Sequence, residues 1–224
     1  MSQESKTFEK VILVVGLLTA VVFLVGVVLD NYPMRMAIKG IPIICLMAWL
    51  WKRARGKYVA LIQMGLLFSL AGDLLLEASP KFFLYGLVAF LIAHLFYISA
   101  FLSENRKGRW LVAIPFVLWG AGAFLFLHSG LGKMALPVGI YITVVCSMMW
   151  RACACIEKDS ELSKYQWAAA IGAITFAFSD TCIAFNKFYK PFDAAKYIIM
   201  ITYWGGQLGL TYSALRFSKK TTDS

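Results

Sequence analysis

The chain has 224 residues, 60% of them hydrophobic and 15% charged, with a net charge of +10. A soluble domain carries charge on about a quarter of its residues and apolar types on roughly half, so both an ordinary water-soluble enzyme and a disordered chain are excluded. A spanning helix needs about 20 apolar residues; eight of them would fill the chain except for termini and short loops, leaving no room for a soluble domain.

In chain order, a polar start (1–10) precedes an apolar run at 11–29 that has no small-residue cleavage pattern, which predicts a retained first helix. A second span, 34–51, holds Lys39 and the breaker pair Gly40 and Pro42. The third, 58–77, places Ser69, Asp73 and Glu77 four residues apart and so on one face. The fourth, 80–102, carries His94 and Tyr97; the fifth and sixth cover 110–128 and 134–155. Asp180 falls within the seventh, 167–187, while Tyr203 and Gln207, four apart, fall within the eighth, 195–216. The expectation is an all-α integral membrane bundle of eight transmembrane helices, a single transmembrane domain over residues 1–224. Gly65 precedes Asp73 by the same interval that separates Gly172 from Asp180, which suggests two four-helix repeats.

The basic residues lie between the apolar blocks, where topology rather than nucleic acid accounts for them. One side takes Lys6, Lys10, Lys52, Arg53, Arg55, Lys57, Arg106, Lys107, Arg109, Arg151, Lys158, Lys164, Arg216, Lys219 and Lys220; the other takes Arg35, Lys81, Lys133, Lys187, Lys190 and Lys196. The positive-inside rule puts both termini in the cytoplasm. Trp49, Trp51, Tyr58, Trp110, Trp150 and Trp167 cluster at the cytoplasmic ends as an interfacial belt. A bacterial inner membrane is the expected location, although an endoplasmic reticulum protein would show the same charge pattern.

An ionisable group inside a span costs several kcal/mol, so it faces the bundle interior and is a functional candidate. At about 1.5 Å per residue, Lys39, Asp73 and Asp180 lie roughly 8, 6 and 10 Å from the non-cytoplasmic helix ends, with Tyr203 at roughly 12 Å. His94 and Tyr97 lie deeper. The five cysteines form no CxxC pair and read as buried thiols, and two histidines cannot build a three-histidine zinc site. No GxSxG elbow is present. What remains is a pair of buried carboxylates with a lysine, expected to divide into one acid and one carboxylate.

The ordered set Lys39-Gly-Ile-Pro42, Gly65-Leu-Leu-Phe-Ser-Leu-Ala-Gly72-Asp73, Gly86 to His94-Leu-Phe-Tyr97, Phe178-Ser-Asp180 and Tyr203-Trp-Gly-Gly-Gln207 resembles the YhhN-like lysoplasmalogenase family of eight-span membrane proteins. The resemblance implies hydrolysis of the vinyl ether bond of a lysophospholipid substrate, the lysoplasmalogen, to a fatty aldehyde and glycerophosphoethanolamine or glycerophosphocholine. Such hydrolysis needs a dry acid, a nearby negative charge and water, and no metal or organic cofactor. The catalytic candidates are Asp73 and Asp180, with Asp73 expected to donate the proton, Asp180 to stabilise the cation, and the reverse assignment left open. Candidate substrate-binding residues are Lys39, for the lipid phosphate, with Ser69, Glu77, His94, Tyr97, Tyr203 and Gln207. A proton-coupled lipid or small-molecule transporter is the competing reading, because carboxylates in spans also serve as proton relays. Oligomeric state cannot be read from the sequence.

Overall fold

The computed structural model describes residues 3–157 and 161–217. Lys158, Lys219 and Lys220 of the charge count therefore lie outside the described residues. Among those described, nine α-helices form: α1 (Gln3–Val28), α2 (Tyr32–Ile38), α3 (Ile41–Arg53), α4 (Lys57–Ala78), α5 (Phe83–Glu104), α6 (Ile114–Leu131), α7 (Ala135–Ala154), α8 (Ser163–Phe188) and α9 (Ala195–Ala214). Several are long and apolar enough to cross a membrane, and α6 and α7, with the helical turn that precedes α6, lie in one 45-residue apolar stretch, Trp110–Ala154. Large apolar side chains cover the outside; Leu17 on α1 is 67% exposed and Leu125 on α6 is 75% exposed. Contiguous apolar surface of this kind belongs against lipid.

Two features depart from the expected spans. The first helix starts well before residue 11, and the span at 34–51 is two helices, α2 and α3, meeting at Lys39 and Gly40. Pro42 has no N–H to offer the Ile38 carbonyl, so the ladder breaks there although Lys39 and Gly40 keep right-handed helical dihedrals. A Cβ at Gly40 would lie 2.6 Å from Leu70 of α4. The missing side chain lets the break lie close against α4, which holds Asp73 and Glu77. Trp49 and Tyr58, expected in the interfacial belt, are buried instead, and Tyr58 Oη lies 2.8 Å from Ser213 Oγ.

The pairs α4–α5 and α8–α9 pack most intimately; α7 lies against α5 and α8, α3 against α9, and α1 and α6 flank the bundle. In α8–α9 the contact is backbone on backbone: a Cβ at Gly172 would lie 2.8 Å from both Gly206 O and Leu210 N. Small residues permit such approaches between membrane helices. Gly172→Ala is expected to push the pair apart at a cost of about 1–3 kcal/mol, the usual penalty for overpacking, read as a lower melting temperature in detergent. An unchanged melting temperature would mean that the two helices are not so close. At the other end, Arg151 of α7 holds the loop before α6 by donating to the carbonyls of Asn105 and Lys107, and Trp150 Nε1 donates to Gly108 O at 3.0 Å.

Candidate active site

The α2–α3 break and the four-residue spacing on α4 produce a ladder of alternating charge. Arg35 and Lys39 share a face of one strand of chain, as do Asp73 and Glu77 of the other. Arg35 Nη1 lies 3.0 Å from Asp30 Oδ1 and its Nε 3.0 Å from Glu77 Oε1; Lys39 Nζ lies 3.2 Å from Glu77 Oε2 and 3.2 Å from Asp73 Oδ1. Asp30 is exposed at the outer rung, where its φ of 47° turns the chain from α1 into α2. Arg35, Lys39 and Asp73 are buried. Lys39, expected to meet a phosphate, thus has two carboxylates as its close partners, and the Glu77 charge lies between two cations.

Ser69, Tyr97 and Gln207, three of the candidate substrate contacts, bond one another. Tyr97 Oη donates to Gln207 Oε1 at 2.7 Å, Gln207 Nε2 donates to Ser69 Oγ at 2.9 Å, and Ser69 Oγ lies 3.4 Å from Tyr97 Oη. This closed ring joins α4, α5 and α9. Gly65 makes it possible, since a Cβ there would occupy the place of the Tyr97 ring.

Asp180 sits in a third group. Tyr141 Oη of α7 donates to its Oδ2 at 2.9 Å, and His94 Nε2 of α5 lies 3.2 Å from the same oxygen. His94 Nδ1 is 2.5 Å from Phe90 O. A carbonyl only accepts, so Nδ1 carries a proton. In that tautomer the neutral ring leaves Nε2 as an acceptor, facing Asp180 Oδ2 at 3.2 Å.

The two carboxylates do not touch through hydrogen bonds, but a common aromatic cluster connects their surroundings. The Phe176 ring centroid lies 4.7 Å from that of His94 and 5.4 Å from that of Tyr203, and Phe90 packs edge-on to both Phe176 and Tyr203. Tyr203 lies within electrostatic reach of both Asp73 and Asp180. The buried Tyr203 and Asp73 side chains face one another, and Tyr203 Oη, Asp73 Oδ2 and His94 Nε2 make no close-geometry hydrogen bond among the described residues.

An apolar cavity of about 60 Å³ lies between α5, α6, α7 and α8, with Asp180 and Tyr141 in a wall otherwise made by residues such as Leu87, Phe90, Trp119 and Leu127. Asp73 and Lys39 are not part of that wall. His128, the second histidine, lies exposed beside Phe124. The sequence reading missed Tyr141 and Arg35. A tyrosine in the middle of a span needs a partner for its hydroxyl, and Arg35 precedes Lys39 by one turn; these were the available signals.

An all-helical bundle with an apolar outer surface, a buried charge ladder and a carboxylate in the wall of an apolar cavity defines a membrane protein with ionisable side chains in its interior. The YhhN family model matches residues 34–214, and the chain belongs to that family. It is 36% identical over 180 residues to mouse lysoplasmalogenase TMEM86B, covering 80% of this chain and 74% of that protein. Human lysoplasmalogenase TMEM86A is 33% identical over 198 residues, 80% of this chain and 77% of its own length. The lysoplasmalogenase of Mycobacterium tuberculosis is 31% identical over 169 residues, 71% and 61% respectively. No solved structure matches the chain.

Proposed function

We propose that this protein hydrolyses the vinyl ether bond of lysoplasmalogens, releasing a fatty aldehyde and glycerophosphoethanolamine or glycerophosphocholine. The observation that carries the reading is Asp180 in the wall of an apolar cavity beside Tyr141, with His94, outside that wall, 3.2 Å from its Oδ2. The similarity to mammalian and mycobacterial lysoplasmalogenases points to the same substrate class.

Asp180 delivers its proton to the chain-side carbon of the double bond, and the ether oxygen stabilises the oxocarbenium ion that results. Asp73, whose charge is balanced by Lys39, supplies the negative field for that cation. Tyr203 Oη and Asp73 Oδ2, which face one another in the interior, orient the water that adds to it. Water gives up one proton as it adds, which restores the Asp180–His94 pair. The hemiacetal then collapses: its hydroxyl proton moves to the departing glycerol oxygen and the carbon–oxygen bond breaks. These roles follow the reverse assignment that the sequence leaves open: Asp73 is favoured as the acid by Glu77 one turn away, whereas Arg35 and Lys39 both pair with Glu77.

The test is aldehyde release from a lysoplasmalogen by purified protein in detergent. No release, together with gradient-driven uptake into sealed vesicles, would replace the hydrolase by a transporter.

The nine helices are taken as eight crossings, with α2 and α3 forming one, in two four-helix halves where α4–α5 corresponds to α8–α9. Both termini then face the cytoplasm. Cysteines introduced at Lys10 and at Asp193, in the α8–α9 loop, should react with an impermeant thiol reagent from opposite sides of the membrane. Labelling from the same side would overturn the eight-crossing arrangement.

A further inference from the structure

The lysolipid chain is larger than the cavity at Asp180. Its volume of about 60 Å³ holds only a few waters, since each needs at least about 10–15 Å³ on this measure. A long hydrocarbon must continue elsewhere. On the outer face of α6 and α7 runs a groove of about 820 Å³, closed at its cytoplasmic end by Trp110 and Trp150, whose ring centroids are 4.6 Å apart. Ile142 and Cys146 belong to the walls of both the cavity and the groove. These two side chains of α7 therefore lie between the space at Asp180 and the groove.

The chemistry of the groove selects its occupant. Its hydroxyls are used within α7: Thr143 Oγ1 donates to Gly139 O at 2.9 Å and Ser147 Oγ to Thr143 O at 2.8 Å. Trp150 Nε1 is committed to Gly108 O. What remains is an apolar trough between two helices, suited to a hydrocarbon chain with no polar group to recognise. A second outer groove, of about 310 Å³ between α1, α3 and α9, shares no wall residue with the cavity.

We propose that the α6–α7 groove binds the hydrocarbon chain of the lysolipid, which passes Ile142 and Cys146 to present its vinyl ether at Asp180, and that the fatty aldehyde leaves laterally by the same path. The proposal rests on the hydrolase reading for the identity of the chain, and it makes α6–α7 the determinant of chain length.

The probe is a non-hydrolysable alkyl-ether lysophospholipid carrying a diazirine on the terminal carbon, photolysed with the purified full-length protein and mapped by peptide mass spectrometry. Adducts are expected between Ala113 and Trp150. Adducts confined to α1 and α9, around Ile12 and Trp204, or spread evenly over the outer surface, would overturn the proposal. In addition, Ala121→Trp and Thr143→Trp alter two exposed groove residues away from the core. Each should raise KM for a long-chain lysoplasmalogen about tenfold relative to a short-chain vinyl ether, the scale on which an apolar pocket discriminates chain length; an unchanged ratio in both would also overturn it. If the photoadducts map to the groove while the wild type releases no aldehyde, the hydrolase reading fails and the chain site stands.

Discussion

Replacing Asp180 with Asn should lower turnover on a lysoplasmalogen by roughly 10²–10⁴-fold, the loss typical of removing a positioned general acid, in a protein that still folds and inserts. The fold is spared because an asparagine amide at the same place still meets both neighbours: its N–H groups can donate to His94 Nε2 and to Tyr141 Oη, which lie 3.2 and 2.9 Å from Asp180 Oδ2. The lost element is the transferable proton. Tyr141→Phe is the milder counterpart, since it removes one donor and leaves the His94–Asp180 pair; a loss of roughly 10- to 100-fold is expected, the value of one hydrogen bond to a charged group. Aldehyde release, compared with melting temperature and detergent elution profile, separates chemistry from folding. Near-normal turnover in Asp180→Asn would end the acid role of Asp180, and an equal loss in the two variants would make Tyr141 as important as the acid itself.

The helices are legible in the sequence because their signal is long and repeated. Ends read from polar clusters fall within a few residues of those observed for α4, α5, α7 and α8, and even the weakest span is marked by the residues that break it, Gly40 and Pro42. Functional depth is partly legible: an ionisable residue in a span is conspicuous, so Lys39, Asp73, His94 and Asp180 stand out. Their pairing does not. Arg35 looks like an outer topogenic charge because, in sequence, it lies at a helix end; only the turn of chain at Asp30 and the α2–α3 break bring it onto Glu77. Tyr141 stands out even less, one tyrosine in an apolar segment, because the contact that gives it meaning crosses from α7 to α8. Likewise Ser69, Tyr97 and Gln207 resemble ligand contacts one by one, whereas together they satisfy each other. Helical spacing reports which residues share a face, but not which face meets which.

Lys39→Met should be among the most destabilising single substitutions in the chain. It leaves Asp73 without a cation and Glu77 with Arg35 alone, and stripping one partner from a buried ion pair costs about 3–5 kcal/mol. Removing the second charge as well should restore most of that loss: in Lys39→Met/Asp73→Asn the remaining pair, Arg35 Nε to Glu77 Oε1 at 3.0 Å, is balanced, and the asparagine that replaces Asp73 is neutral. The double variant is therefore expected to melt close to the wild type yet to stay inactive, because the carboxylate opposing the cation is gone. The melting temperatures of the two variants and the wild type in detergent decide the matter without any activity measurement. A phosphate-binding Lys39 would behave differently. It would give a well-folded Lys39→Met protein whose KM for the lysolipid rises while its turnover at saturation is kept, and the second substitution would then return no stability. That outcome would transfer Lys39 from the charge ladder to the head group and would require a different source for the field that holds Asp73 ionised.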